Sequence, residues 1–128
     1  MPNRRSASGN RAVGNLGEGH AARFLRARGY EIIGRNVKTY LGEIDIVARK
    51  QKILIFAEVK TRREGNFGPP HNLITRKKKR KLVQCAFVYC DMQGIDGALW
   101  QIDVISVELY RASGSVKKIE HFENVIEE

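Results

Sequence analysis

Glu43, Asp45, Glu58 and Lys60 interrupt a stretch that otherwise reads as buried β-structure, GEIDIVARKQKILIFAEVK at residues 42–60. Residues two apart on a strand share a face. Glu43, Asp45 and Val47 therefore fall on one side of the first strand, and Ile44, Ile46 and Ala48 on the other. On the second strand, Leu54, Phe56, Glu58 and Lys60 share a face. A tight turn at Gln51–Lys52 sets Asp45 opposite Glu58 and Glu43 opposite Lys60. Directly opposed residues have Cβ atoms about 4.5–5.5 Å apart. Two carboxylates that close repel unless a cation or a proton lies between them. A hard divalent cation meets that demand, because magnesium takes oxygen ligands and often only one or two carboxylates. Lys60 beside it can position a water or steady charge on a phosphate. The alternative is ordinary pairing of Lys60 with Glu43 or Glu58 on a solvated face. Glu-x-Lys by itself occurs by chance in about half of chains this long. Its informative feature is the place at the end of an apolar strand with an acid opposite.

Glu18 extends the pattern. It precedes Ala21, Ala22 and Leu25 by three, four and seven residues and so shares the apolar face of a helix. A carboxylate there is costly unless something satisfies it. It reads either as a third acid of the site or as an acid favoured by the helix dipole.

These residues need elements to hold them. Residues 1–12, MPNRRSASGNRA, are Ser-, Gly- and Arg-rich and read as a disordered basic tail ahead of one domain, 13–128. A helix is predicted from Gly14 to Arg28, stopped by Gly29. YEIIGRNVKTY reads as a strand, and the two strands of the hairpin follow. The loop TRREGNFGPPHN is long for a compact domain. A second helix is expected over about 73–92, with Leu82, Val83, Ala86, Phe87 and Cys90 on one face. ALWQIDVISVEL and SVKKIEHFENV read as two more strands. Short links imply hairpins, and the second helix implies a crossover between parallel neighbours. The class is α/β with a mixed sheet.

The 128 residues suit one domain, and the chain carries 23 Lys and Arg against 14 Asp and Glu, a net charge of +9. That balance points to a polyanionic partner, a nucleic acid before a membrane surface. RKKKRK, Arg76–Lys81, places six cations in succession at the front of the second helix, and Arg4, Arg5 and Arg11 add to the tail. No run approaches the ~20 apolar residues of a membrane span, and no apolar segment follows the N-terminal cations. The expected address is the cytoplasm. Cys85 and Cys90 lie on different sides of one helix and read as packing thiols. Tyr30, Tyr40 and Phe67 read either as anchors or as stacking surfaces for bases. His20 and His71 have no partner at ligand spacing and read as structural or exposed, and His121, near the end of the sequence, says little. Trp100 reads as core. Asp103 reads as a second acid supporting the site or as a buried salt-bridge partner.

A helix with Glu, strands bearing Asp and then Glu-x-Lys, a helix and a strand together resemble the PD-(D/E)XK nuclease core. More closely, GEGHAARFLRARGYEIIGRNVKTYLGEIDIVA, FAEVKTR and the Lys-rich helix resemble the YraN family of bacterial proteins, itself similar to Holliday-junction resolvases. The resemblance spans about residues 14–107. It implies a restriction-endonuclease-like αβββαβ core with a mixed sheet flanked by helices. It implies Asp45, Glu58 and the Val59 carbonyl as ligands of Mg²⁺ or Mn²⁺, Lys60 as the catalytic lysine and Glu18 as the helix acid. Glu43 is expected in a supporting role. Ile44 stands where the superfamily's name has proline. The function so implied is metal-dependent cleavage of phosphodiester bonds in DNA, preferred to RNA and branched in form, by a homodimer. Arg62, Arg63, Arg76, Lys77, Lys78, Lys79, Arg80 and Lys81 are the expected phosphate contacts, and Arg35 and Lys38 weaker candidates. The alternatives are a non-catalytic nucleic-acid-binding protein on the same fold, or a basic face that meets an acidic protein.

Overall fold

The computed structural model describes residues 3–65 and 74–126, with side-chain surroundings from Ala12 onward. Helix α1 spans Asn3–Ala27. It begins well before the expected start at Gly14, so helical backbone takes in most of the segment read as a disordered tail. Arg4, Arg5 and Arg11 lie outside the described side chains. Strands β1 (Glu31–Thr39), β2 (Gly42–Lys50) and β3 (Ile53–Arg63) follow, then α2 (Arg76–Met92), β4 (Leu99–Leu109) and β5 (Val116–Phe122). The expected loop therefore begins as strand, since Thr61–Arg63 belong to β3. Phe67 and His71 lie outside the described residues.

The five strands form one mixed sheet in sequence order. β3 and β4 are parallel neighbours, which a hairpin cannot connect, and α2 supplies the crossover. The other pairs are antiparallel. This is the expected α/β core with a helix on each face.

Period-2 alternation in β3 and β4 divides the core in two. On one face Ala21, Ala22 and Leu25 of α1 pack on Ile46, Ala48, Ile55, Ala57 and Ile105. On the other, Leu82, Cys85, Ala86 and Tyr89 of α2 pack on Leu54, Phe56, Ile102 and Val104. The α2 stripe differs from the expected one. Phe87 is 62% exposed and Tyr89 is buried, because the buried positions follow i, i+3, i+4, i+7 from Leu82. Cys85 and Cys90 are both buried free thiols, as expected of packing residues. Trp100 is half-buried, edge-on to Phe56 and Phe87.

Thr75 caps α2, its hydroxyl accepting from the Lys78 N–H at 3.1 Å. α1 approaches β3 closely at Gly17, where a Cβ would fall inside the Thr61 side chain. That contact sets the height of the next residue, Glu18, above the sheet.

Candidate functional site

The turn at Gln51–Lys52 forms as expected, with Gln51 at φ 56°. The β2–β3 register runs Lys50↔Ile53 through Ile46↔Ala57, which puts Asp45 next in line with Glu58. The ladder ends there. The Val59 N–H is instead taken by the Asp45 side chain, donating to Oδ2 at 2.8 Å. β2 thus parts from β3 at Asp45, and the acids sit in the fork. Alternation also breaks at this point. Ile44 packs with Val47 on the α2 face while Ile46 and Ala48 face α1, against the expectation that Ile44, Ile46 and Ala48 share a side. Beyond the fork Glu43 pairs across β1 with Lys38, so the ladder does not place it opposite Lys60.

Side chains from both helices converge on the fork. Glu58 is buried at 6% exposure, and Lys78 of α2 reaches it, Nζ to Oε2 at 3.3 Å. The approach is close enough for an ion pair but misaligned for a hydrogen bond, so Oε2 has no hydrogen-bond partner. From the other face comes Glu18 of α1, whose buried Oε1 also lacks one. Burial, then hydrogen bonding and charge from Glu58, pushes the Asp45 carboxyl up to about 7, against the pull of the Val59 N–H and Lys78. Burial raises Glu18, with the Asp45 and Glu43 charges adding to it. A hydrogen bond from Asn36 and the Arg35 guanidinium oppose that rise. Asn36 holds φ 50°, a left-handed conformation that Asn tolerates better than most residues.

Two clefts flank the acids. One of ≈ 520 Å³ is lined by Gly14, Asn15, Glu18, Asn36, Lys38 and Glu43. The other, ≈ 710 Å³, is lined by Thr75, Lys77, Lys78, Arg80, Lys81 and Gln84.

The donors around the fork are carboxylate oxygens from Asp45 and Glu58, and the buried Glu58 Oε2 and the nearby Glu18 Oε1 accept no hydrogen bond. This set fits a hard divalent cation of the magnesium or manganese class. Val59, expected as a carbonyl ligand, is buried directly after Glu58 on β3 and tied to Asp45 through its N–H. Lys60 is half-buried two positions past Glu58. Among the described residues it forms no salt bridge. Arg62 is half-buried and Arg63 exposed at the end of β3. Arg76, Lys77, Arg80 and Lys81 are exposed, whereas Lys78 and Lys79 are half-buried.

Lys78 is therefore a member of the acid cluster as well as of the cation run, which the sequence reading missed. Asn36 was missed too. Asp103 resolves into a structural role. It is fully buried on the α1 side and accepts from Gln101 Nε2 and the Asn124 N–H, each at 2.9 Å. Its other oxygen meets His121 Nε2 at 2.7 Å. His121 stacks edge-on against Phe24 and Tyr30. Asp103, His121 and Glu123 each bring one atom within 4.8 Å of the others, but both Asp103 oxygens are already satisfied by protein donors.

The chain matches the model of the Uncharacterised protein family UPF0102 over residues 17–107. A UPF0102 protein of Geobacter metallireducens is 39% identical over 118 residues, 92% of this chain and 94% of that one. One from Symbiobacterium thermophilum is 43% identical over 99 residues, 77% and 84% of the two chains. One from Pelotomaculum thermopropionicum is 38% identical over 118 residues, 92% and 98%. The chain thus belongs to the UPF0102 family, also called YraN.

Proposed function

We propose that this protein hydrolyses phosphodiester bonds in DNA, with Asp45 and Glu58 holding Mg²⁺ or Mn²⁺. The observation that carries the reading is the fork itself, where a buried Glu58, a proton-retaining Asp45 and the Lys78 ammonium meet beside a basic helix. A divalent cation bound there would polarise the scissile phosphate and acidify an attacking water. The chain's own residues do the rest. Asp45 near neutral pH stands poised between charged and neutral, so a cation of the substrate complex sets its state. Lys60 orients water or steadies charge on the phosphate. Glu18 adds a carboxylate from the α1 face, and Glu43 lines the cleft beside it. Arg62, Arg63, Arg76, Lys77, Lys79, Arg80 and Lys81 hold the strand through its phosphates, which fixes register without reading sequence. Each chain supplies one set of acids, so cutting both strands of a branched DNA calls for two copies.

The Lys78–Glu58 ion pair favours a second reading, in which a protein ammonium has taken the cation's place and the fold only binds nucleic acid. One experiment separates them. Labelled single-stranded, duplex, flapped and four-way DNA and RNA would be incubated with Mg²⁺, Mn²⁺ or chelator, with Glu58→Ala as control. Metal-dependent cutting that disappears in the control is expected. Tight, salt-sensitive binding with no cutting under any metal would overturn the nuclease reading in favour of the binding one.

A further inference from the structure

The turn between β1 and β2 presents Tyr40 at 74% exposure and Leu41 at 36%. Tyr30, by contrast, is 7% exposed within the core. The exposed pair is not on a loose loop. Thr39 Oγ1 donates to the Gly42 carbonyl at 2.8 Å and accepts from the N–H groups of Leu41 and Gly42 at 3.2 and 3.1 Å. Gly42 presses on α2, where an added Cβ would come 3.2 Å from Cys85 Sγ and 3.3 Å from Lys81 Cε. The tip is therefore a stiffened platform, seated beside the basic helix, with Lys38 one residue before Thr39 in the cleft that holds Glu18 and Glu43. Tyr40 is five residues from Asp45, about 16 Å at full strand extension. That reach equals about five base steps of a stacked strand.

A rigid, half-apolar tip between cations has a chemical complement. The cations suit phosphate, and the ring suits the face of a base. In continuous duplex those faces are covered by their neighbours, and exposing one costs unstacking energy. In an unpaired or splayed strand they are free. We propose that Tyr40 stacks on an unpaired base, with Leu41 against the adjoining step, and that the substrate class is nucleic acid carrying unpaired bases within about five steps of the cut. This rests on the nucleic-acid reading above.

The test is binding under chelator, where no cutting occurs, with the full chain and its Tyr40→Ala and Tyr40→Phe variants. The probes are a single strand, a duplex with an unpaired flap, and a perfect duplex, with 2-aminopurine at the unpaired position. Tyr40→Ala is expected to weaken single-strand and flap binding about 5- to 150-fold. Tyr40→Phe should bind within about twofold of wild type, because the ring face is retained. Perfect-duplex binding should be unchanged, and 2-aminopurine should be quenched by wild type and Tyr40→Phe alone. An equal loss on all three probes, or no loss on any, would overturn the stacking proposal while leaving nucleic-acid binding intact. Failure of the wild-type chain to bind any probe would sink both.

Discussion

Asp45 carries the strongest electrostatic consequence of any single residue. Its carboxyl is held at about 7 in the folded chain against an ordinary 3.8, chiefly by burial and by Glu58. The folded state therefore keeps a proton that the unfolded chain gives up between those values. The stability this contributes is complete below about pH 4 and is lost as pH rises through 7, by at most about 4 kcal/mol. Urea unfolding under chelator should accordingly show a less stable protein at pH 8 than at pH 5. Asp45→Asn should flatten that dependence and stabilise the protein at pH 8, and an unchanged slope would refute the assignment. Gly17 is the second informative residue. A helical Gly→Ala exchange ordinarily stabilises by about 1 kcal/mol. Here the new Cβ would meet Thr61. Gly17→Ala should destabilise by about 1–3 kcal/mol in thermal or urea unfolding, and Thr61→Ala in the same chain should recover part of the loss.

At the scale of elements, α2 does two jobs with one run of cations. Most of the run is solvated, but the first turn aims Lys78 back at Glu58 and, by charge, at Asp45. An ammonium there competes with a metal for the same carboxylates. Lys78→Ala should therefore strengthen Mn²⁺ binding in calorimetry without nucleic acid, by several-fold. It should also push the Asp45 carboxyl higher. Unchanged or weaker Mn²⁺ binding would mean that the acids do not form the cation site. β2 and β3 contribute the other half of the geometry, since their parting at Ile46↔Ala57 opens the space that Asp45 and Glu58 face.

For the molecule as a whole, 23 basic side chains stand against 14 acidic ones, and two of the acids, Asp45 and Glu58, meet at the fork. Binding to a polyanion should then follow the exposed cations of α2. Replacing Lys77, Arg80 and Lys81 by Gln should lower the slope of log K against log[salt] by about 3 at most, uniformly across sequences. Fluorescence titrations between low and physiological salt would measure it, and an unaltered slope would place the binding face elsewhere. Among the described residues no helix is long and apolar enough to cross a membrane.

Sequence by itself determined the strands, the turn at Gln51–Lys52, the crossover helix and the approach of Asp45 to Glu58. Each follows from local periodicity or from the two-residue repeat of a strand, which needs no knowledge of distant packing. It also carried Glu18 to the right face of its helix. Tertiary structure alone decided the rest. Ile44 left its expected side where the β2–β3 ladder ends, and Phe87 faced outward because the buried stripe of α2 runs through Tyr89. Asp103 found His121 across paired strands, and Lys78 found Glu58 across a helix–sheet contact. A side chain's partner across an interface depends on how two elements are set against each other. That setting comes from shape at contacts such as Gly17 on Thr61, which no spacing along the chain records.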